Sequence, residues 1–337
     1  STLFPYTTLF RSLPKYSYIP ELNEKIAEMV AGLNSGQVFL VNQAQGFNWQ
    51  DYTVHDKVHP NKAGAEKMAT VWFEALKKVL ASSETVFSPE IVRYKTLEDG
   101  DSLALHIFKP RNMQAGEKRP AIVYFFGGGW KLGTPIQFYR ECAYYASKGM
   151  VAVSVDYRIG YLHHSTPFES FEDAKDAICW LRSHASDYQL DPDKIAVAGG
   201  SAGGHLAAAL GTIGSDETVP AGYRPNLSVL YYPVIDMVSR GYGFPEIKRD
   251  FEKISPIHHV SEATPSTLIL LGTKDPIVSV ETIEAYQDKL LQKGVDCELH
   301  LFEGAGHPIF LYRKPLTEEY YKVRKLTDDF LKRQGFL

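Results

Sequence analysis

Cysteine is scarce: the 337 residues include only Cys142, Cys179 and Cys297. Three thiols this scattered supply neither a disulfide framework nor a zinc site. The histidine pairs His163-His164 and His258-His259 read as loop histidines, so no metal is expected. No apolar run approaches the roughly 20 residues of a membrane span, so no membrane partner is expected. Basic charge is not in excess. Thirty-six Lys and Arg against 40 Asp and Glu leave a net charge of −4, which argues against nucleic acid as a partner. Internal repeats and low-complexity tracts are absent. Ser1 to Ser12 lacks the charged start, long apolar stretch and cleavage site of a signal peptide. It is set aside as a non-native leader, and a native start upstream would be compatible with an exported bacterial parent. What is present is 44% hydrophobic and 23% charged, the balance of an ordinary globular chain of about two domains. Nothing in it bears on oligomeric state.

Periodicity divides the rest. Glu21 to Leu33 is helix-like, with Ile26, Met29, Val30 and Leu33 on one face and Gly36 as a stop. Val38 to Val41 reads as a short strand. Asn61 is placed to cap a long helix carrying Met68, Val71, Trp72, Leu76 and Leu80 on one face. The small, polar run Ala81 to Ser88 marks a boundary, giving segments 13–80 and 81–337. Beyond it, Ile91–Lys95 and Leu103–Phe108 alternate like strands. Apolar runs follow at Ala121–Phe126, Val151–Val155, Ile195–Ala198, Ser228–Tyr232, Leu268–Leu271 and Glu298–Phe302. Helical periods fall at about 136–148, 170–186, 202–213, 281–293 and 317–333. Strands alternating with helices imply an α/β fold, with a mainly parallel sheet covered on both faces. Cys142 and Cys179 lie on helical stretches and read as small buried residues, and His205, on the helix after the elbow, as a packed residue or one that supports the site's side chains from behind.

The chemistry begins at Gly199-Gly200-Ser201-Ala202-Gly203-Gly204, between a strand and a helix. A serine there needs a very tight turn, and the flanking glycines remove the clashes such a turn would create. The hydroxyl then stands at a helix N-terminus, where amides favour negative charge. A serine nucleophile needs a base, and the base needs an orienting carboxylate. Asp275 follows the strand Leu268–Leu271 and His307 follows Glu298–Phe302, both at carboxyl ends, where sites gather in open sheets. Phe126-Gly127-Gly128-Gly129-Trp130 follows a third strand. Bare amides must reach a developing oxyanion to about 2.7–3.1 Å, so Gly128, Gly129 and Ala202 are the candidate donors. Phe126, Trp130, Tyr139, Tyr157 and Phe168, near the strand ends, are candidates for a wall that stacks a ring-bearing substrate.

Residues 89–337 resemble α/β-hydrolase esterases of the hormone-sensitive-lipase-like group, in the branch of feruloyl and acetylxylan esterases. The resemblance rests on Arg119-Pro120-Ala121-Ile122-Val123, the glycine loop, Asp191-Pro192-Asp193-Lys194-Ile195, the serine elbow, Ile254-Ser255-Pro256 and the acid and histidine loops. It implies serine ester hydrolysis without a cofactor, on a small-molecule or polysaccharide ester. Two positions depart from that pattern: Phe126 stands where a histidine usually opens the glycine loop, and Gly200 where an acidic residue usually precedes the nucleophile. The short connection from Pro233 to Pro265 predicts little or no lid. Residues 13–80 resemble the last block of the SGNH (GDSL) esterases, with Asp56 and His59 as a vestigial dyad. Gly100-Asp101-Ser102-Leu103 follows that dyad instead of preceding it and reads as a hairpin turn. Plant-cell-wall esterase is the first expectation and generic short-chain carboxylesterase the second. A prolyl-oligopeptidase-type peptidase would need a β-propeller that roughly 80 preceding residues cannot hold. A non-catalytic binding protein fits poorly with an intact nucleophile, base, acid and amide loop.

Overall fold

The computed structural model describes residues 2–6, 25, 28, 38–42, 48–54, 60–82, 88–111, 113–114, 116–214, 221–237, 250–311 and 316–337. Two compact units emerge, Ser1–Val86 and Phe87–Leu337. In the first, strand β1 (Thr2–Tyr6) pairs in parallel with β2 (Val38–Asn42). Thr2–Tyr6 falls within the opening twelve residues set aside as a leader. Helices α1 (Trp49–Tyr52) and α2 (Lys62–Ser82) follow. Asn61 does cap α2, accepting from the amide of Gly64 at 2.9 Å. The helix expected over Glu21 to Leu33 is described only at Lys25 and Glu28, both helical. Asp56 and His59 lie outside the described residues.

The second unit is an eight-stranded sheet in the order β10-β9-β8-β7-β5-β6-β4-β3. Its strands are β3 (Glu90–Thr96), β4 (Ser102–Phe108), β5 (Arg119–Phe125), β6 (Val151–Val155), β7 (Leu190–Gly200), β8 (Leu227–Tyr231), β9 (Thr267–Gly272) and β10 (Cys297–Phe302). Among the described strands of this sheet, only the pairs β3–β4 and β4–β6 are antiparallel. Apolar runs such as Val151–Val155 and Leu227–Tyr231 are buried at every residue, as a sheet covered on both faces requires. Helices α3 (Tyr139–Ser147), α4 (Gly160–His163), α5 (Pro167–Ser183), α6 (Ala202–Thr212), α7 (Phe251–Ile254), α8 (Val280–Gln292) and α9 (Glu318–Arg333) fill the connections. Local chemistry fixes their starts. Thr166 and Glu169 form a capping box ahead of Pro167 in α5. Thr317 caps α9, whose first turn holds Glu318 and Glu319 and whose last holds Lys332 and Arg333, matching its dipole. Residues 238–249, within the connection expected to lack a lid, lie outside the described residues.

The chain leaves β5 for β6 on one side and returns to β7 on the other. That reversal opens a crevice at the carboxyl ends of β5 and β7, where open α/β sheets place their sites. The strand ends align there: Phe125 pairs with Gly199, Gly200 with Tyr231, and Gly272 with Phe302. Among the described residues, no helix is long and apolar enough to cross a membrane.

Candidate active site

Ser201 sits between β7 and α6 with φ 56° and ψ −118°, a conformation that strains any residue but glycine. The surroundings hold it there. Its amide donates to Tyr231 O at 3.1 Å, and its carbonyl accepts from His205 N at 2.9 Å. The turn closes only because Gly203 has no side chain: a Cβ there would lie 2.0 Å from Phe125 O. Ser201 is nearly buried, and its Oγ lies 2.8 Å from His307 Nε2. His307 Nδ1 lies 2.7 Å from Asp275 Oδ2, and the Asp275 side chain is fully buried. The other carboxylate oxygen accepts from the amides of Ile277 at 2.8 Å and Val278 at 3.0 Å. A buried carboxylate fixed by two amides is a directional acceptor, and it selects the tautomer with Nδ1 protonated. His307 Nε2 is then a lone-pair acceptor for the serine proton. Three side chains separated by up to 106 residues meet in one hydrogen-bonded chain.

The glycine loop after β5 lies beside this chain. A Cβ on Gly128, at φ 142°, would meet Leu132 O at 1.9 Å, so the loop folds back only with glycine there. The amides of Gly128, Gly129 and Ala202 have no hydrogen-bond partner among the described residues. Gly127 differs, because its amide donates to Gln137 Oε1 at 2.6 Å. Gln137 was not singled out in the sequence, since a polar residue ten positions beyond a turn carries no local signal.

The proposed stacking wall needs correction. Phe126, Trp130 and Tyr157 are each at most 1% exposed and cannot present a face to substrate. Phe126 stacks on Tyr157 with centroids 4.0 Å apart, and Tyr157 Oη donates to Phe126 O at 2.6 Å. Trp130 Nε1 donates to His205 Nδ1 at 3.3 Å, and His205 Nε2 donates to Ile254 O at 2.7 Å. Burial pushes that imidazole down to about 4, so it stays neutral and serves as a tie between the loop and α6. Tyr139 is half-buried, with its hydroxyl on His106 Nδ1 and its ring edge-on to Phe108. Phe168 is partly buried against the core. The apolar side chains that do face solvent near the loop are others. Leu132 is 62% exposed, and its Cδ1 would lie 3.2 Å from a Cβ on Gly128. Tyr161 is 82% exposed, its amide bonded to Lys131 O. Cys179 is exposed rather than buried, because α5 turns Ala174, Ala177, Ile178 and Leu181 inward. Among the described residues, no group of three or more His, Cys, Asp or Glu could hold a metal ion.

This geometry agrees with what the chain resembles. The BD-FAE family model matches residues 105–249. Esterase LipC of Mycobacterium tuberculosis is 28% identical over 241 residues, 62% of this chain and 57% of its own. An acetylxylan esterase of Xylanibacter ruminicola is 26% identical over 227 residues, 63% of this chain and 44% of its own. The chain thus spans about half the length of the curated relatives it matches. Among solved structures, the native form of the thermophilic esterase Est2 from the Planctomycetes species Thermogutta terrifontis is 37% identical, with a TM-score of 0.69. The match covers 74% of this chain and 93% of that one. The chain belongs to the α/β-hydrolase esterases.

Proposed function

We propose that this protein is a serine carboxylic-ester hydrolase that works through Ser201, His307 and Asp275. His307 Nε2 takes the Ser201 proton as Oγ attacks the ester carbonyl carbon, and Asp275 stabilises the imidazolium that forms. The amides of Gly128, Gly129 and Ala202 receive the oxyanion, aided by the α6 N-terminus. Collapse of the tetrahedral adduct breaks the ester bond, and His307 passes its proton to the departing alcohol oxygen. Water, deprotonated by the same imidazole, then attacks the acyl-serine, releasing the acid and restoring Ser201. The observation that carries this reading is the Asp275–His307–Ser201 chain at 2.7 and 2.8 Å. Ser201→Ala is expected to lower kcat on p-nitrophenyl acetate by at least about 10⁴-fold. Turnover at the wild-type rate would refute it.

For the substrate, acyl esters of plant-cell-wall polysaccharide come first, bearing acetyl or feruloyl groups. The BD-FAE match and the acetylxylan esterase relative support this. Exposed Leu132 and Tyr161 beside the glycine loop add an apolar and an aromatic surface on which a ring can rest. A generic short-chain carboxylesterase is the second reading, favoured by the Thermogutta terrifontis esterase, which was solved with propionate and with butyrate. Rates on methyl ferulate, acetylated xylan and p-nitrophenyl butyrate separate the two. Activity confined to the butyrate ester selects the second.

A further inference from the structure

One peptide group is pinned from both ends. The carbonyl of Phe126 accepts from Tyr157 Oη at 2.6 Å, and the amide on the other side of that same bond, Gly127 N–H, donates to Gln137 Oε1 at 2.6 Å. This peptide joins the end of β5 to Gly128 and Gly129. It also lies against the nucleophile: a Cβ on Gly127 would be 2.9 Å from Gly200 O and 3.4 Å from Ser201 Cβ. Gln137 belongs to a short 3-10 turn, Pro135–Phe138, braced by Ser154 Oγ donating to Pro135 O at 2.7 Å. Tyr157 is fully buried, its ring stacked on Phe126.

We infer that Gln137 and Tyr157 form a clamp on the Phe126–Gly127 peptide that aims the amides of Gly128 and Gly129 at the oxyanion. The inference rests on the proposed reading of the site. Both act through this peptide and are positioning residues. A loop of three glycines has wide conformational freedom. Donors that stabilise a transition state must nevertheless be preset, since reorganising them during the reaction forfeits their effect. Rotating the clamped plane away breaks two hydrogen bonds at once, one of them buried. The clamp also accounts for Phe126 standing where the resemblance would put a histidine. Its flat ring on Tyr157 fixes the height of the carbonyl, and the phenol fixes its direction. By holding Gly127 N–H, Gln137 keeps that amide out of the site and leaves the next two facing it.

The test compares wild type, Gln137→Met, Tyr157→Phe and the double variant on p-nitrophenyl acetate, with Ser201→Ala as blank. Each single variant is expected to lower kcat about 10- to 100-fold, with KM within threefold. Affinity for an alkyl trifluoromethyl ketone, which becomes a hemiketal oxyanion on Ser201, is expected to fall in parallel. Because both side chains hold one plane, the double variant is expected within threefold of the slower single. Wild-type kcat in Gln137→Met, multiplicative losses in the double variant, or unchanged ketone affinity would each overturn the clamp. Undiminished turnover by Ser201→Ala would instead mean that the reading of the site had failed.

Discussion

Gly200→Ala probes why glycine precedes the nucleophile. Gly200 does not have a positive φ, so its backbone accepts alanine and only space resists. A Cβ there would lie 2.7 Å from Tyr232 Oη, 2.9 Å from its Cζ and 3.0 Å from its Cε2. Tyr232 has little room to yield. It is 3% exposed, holds φ at 39°, and its amide donates to Leu270 O at 2.7 Å. Its ring meets His307 edge-on, with centroids 4.8 Å apart. Displacing that ring therefore presses on the base of the proposed triad or on the elbow. Overpacking of this kind costs about 1–3 kcal/mol. A misplacement of about half an ångström at the base lowers kcat by roughly tenfold, on the scale of about 10²-fold per ångström. The expected pattern is a double-mutant cycle in which Gly200→Ala alone is destabilised and slow. In a Tyr232→Ala background the same change is nearly neutral, a coupling of about 1 kcal/mol or more. Urea denaturation and kcat on p-nitrophenyl acetate measure both. If Gly200→Ala behaves like wild type, or does equal harm with the phenol gone, Tyr232 is not what excludes a side chain at position 200.

Two pH effects follow from burial, with opposite signs. Burial pushes the Asp156 carboxyl from 3.8 up to about 6. The native state then holds more protons than the unfolded one between those values, and stability falls as pH rises through that window. Asp156→Asn is expected to stabilise by up to about 3 kcal/mol at pH 8 and to be nearly neutral at pH 4; equal urea-denaturation shifts at both pH values would contradict this. His205 runs the other way. With its folded value at about 4, its contribution is complete above pH 6.5 and lost as pH falls to 4. His205→Gln is expected to flatten that acid-side decline by up to about 3 kcal/mol, and an unchanged slope in the same titration would count against a neutral buried imidazole.

The sheet was legible because its central strands are continuous apolar runs, and the candidate site residues could be named because each sits on a glycine-marked loop just past such a run. The expected strands and observed ones differ mostly by a residue or two at their ends. Strand β7 is the exception: it begins at Leu190, five residues before the expected start. Asp191, Pro192, Asp193 and Lys194 break the apolar pattern there, and the β5–β7 register shifts between Arg119 and Ala121. The helix expected over 136–148 splits into a 3-10 turn and α3, because Tyr139 starts a new hydrogen-bond pattern. Aromatic identity at a strand end does not reveal which way a ring points. Trp130, with φ 57°, turns inward onto His205, while Leu132 two residues on turns out. Ionic ties across elements were equally silent. Asp173, fully buried on α5, accepts Arg158 Nε and Nη2 at 2.8 Å each and Lys95 Nζ at 2.6 Å, uniting three segments far apart in the chain.

The order of the strands gives the two halves of the site different footings. The glycine loop and Ser201 leave β5 and β7, each flanked on both sides, whereas His307 follows β10, which among the described residues pairs with β9 alone. A margin frays before a middle. On the proposed reading, gentle warming is expected to loosen His307 before the glycine loop and Ser201, leaving a folded but idle molecule over the last degrees before melting.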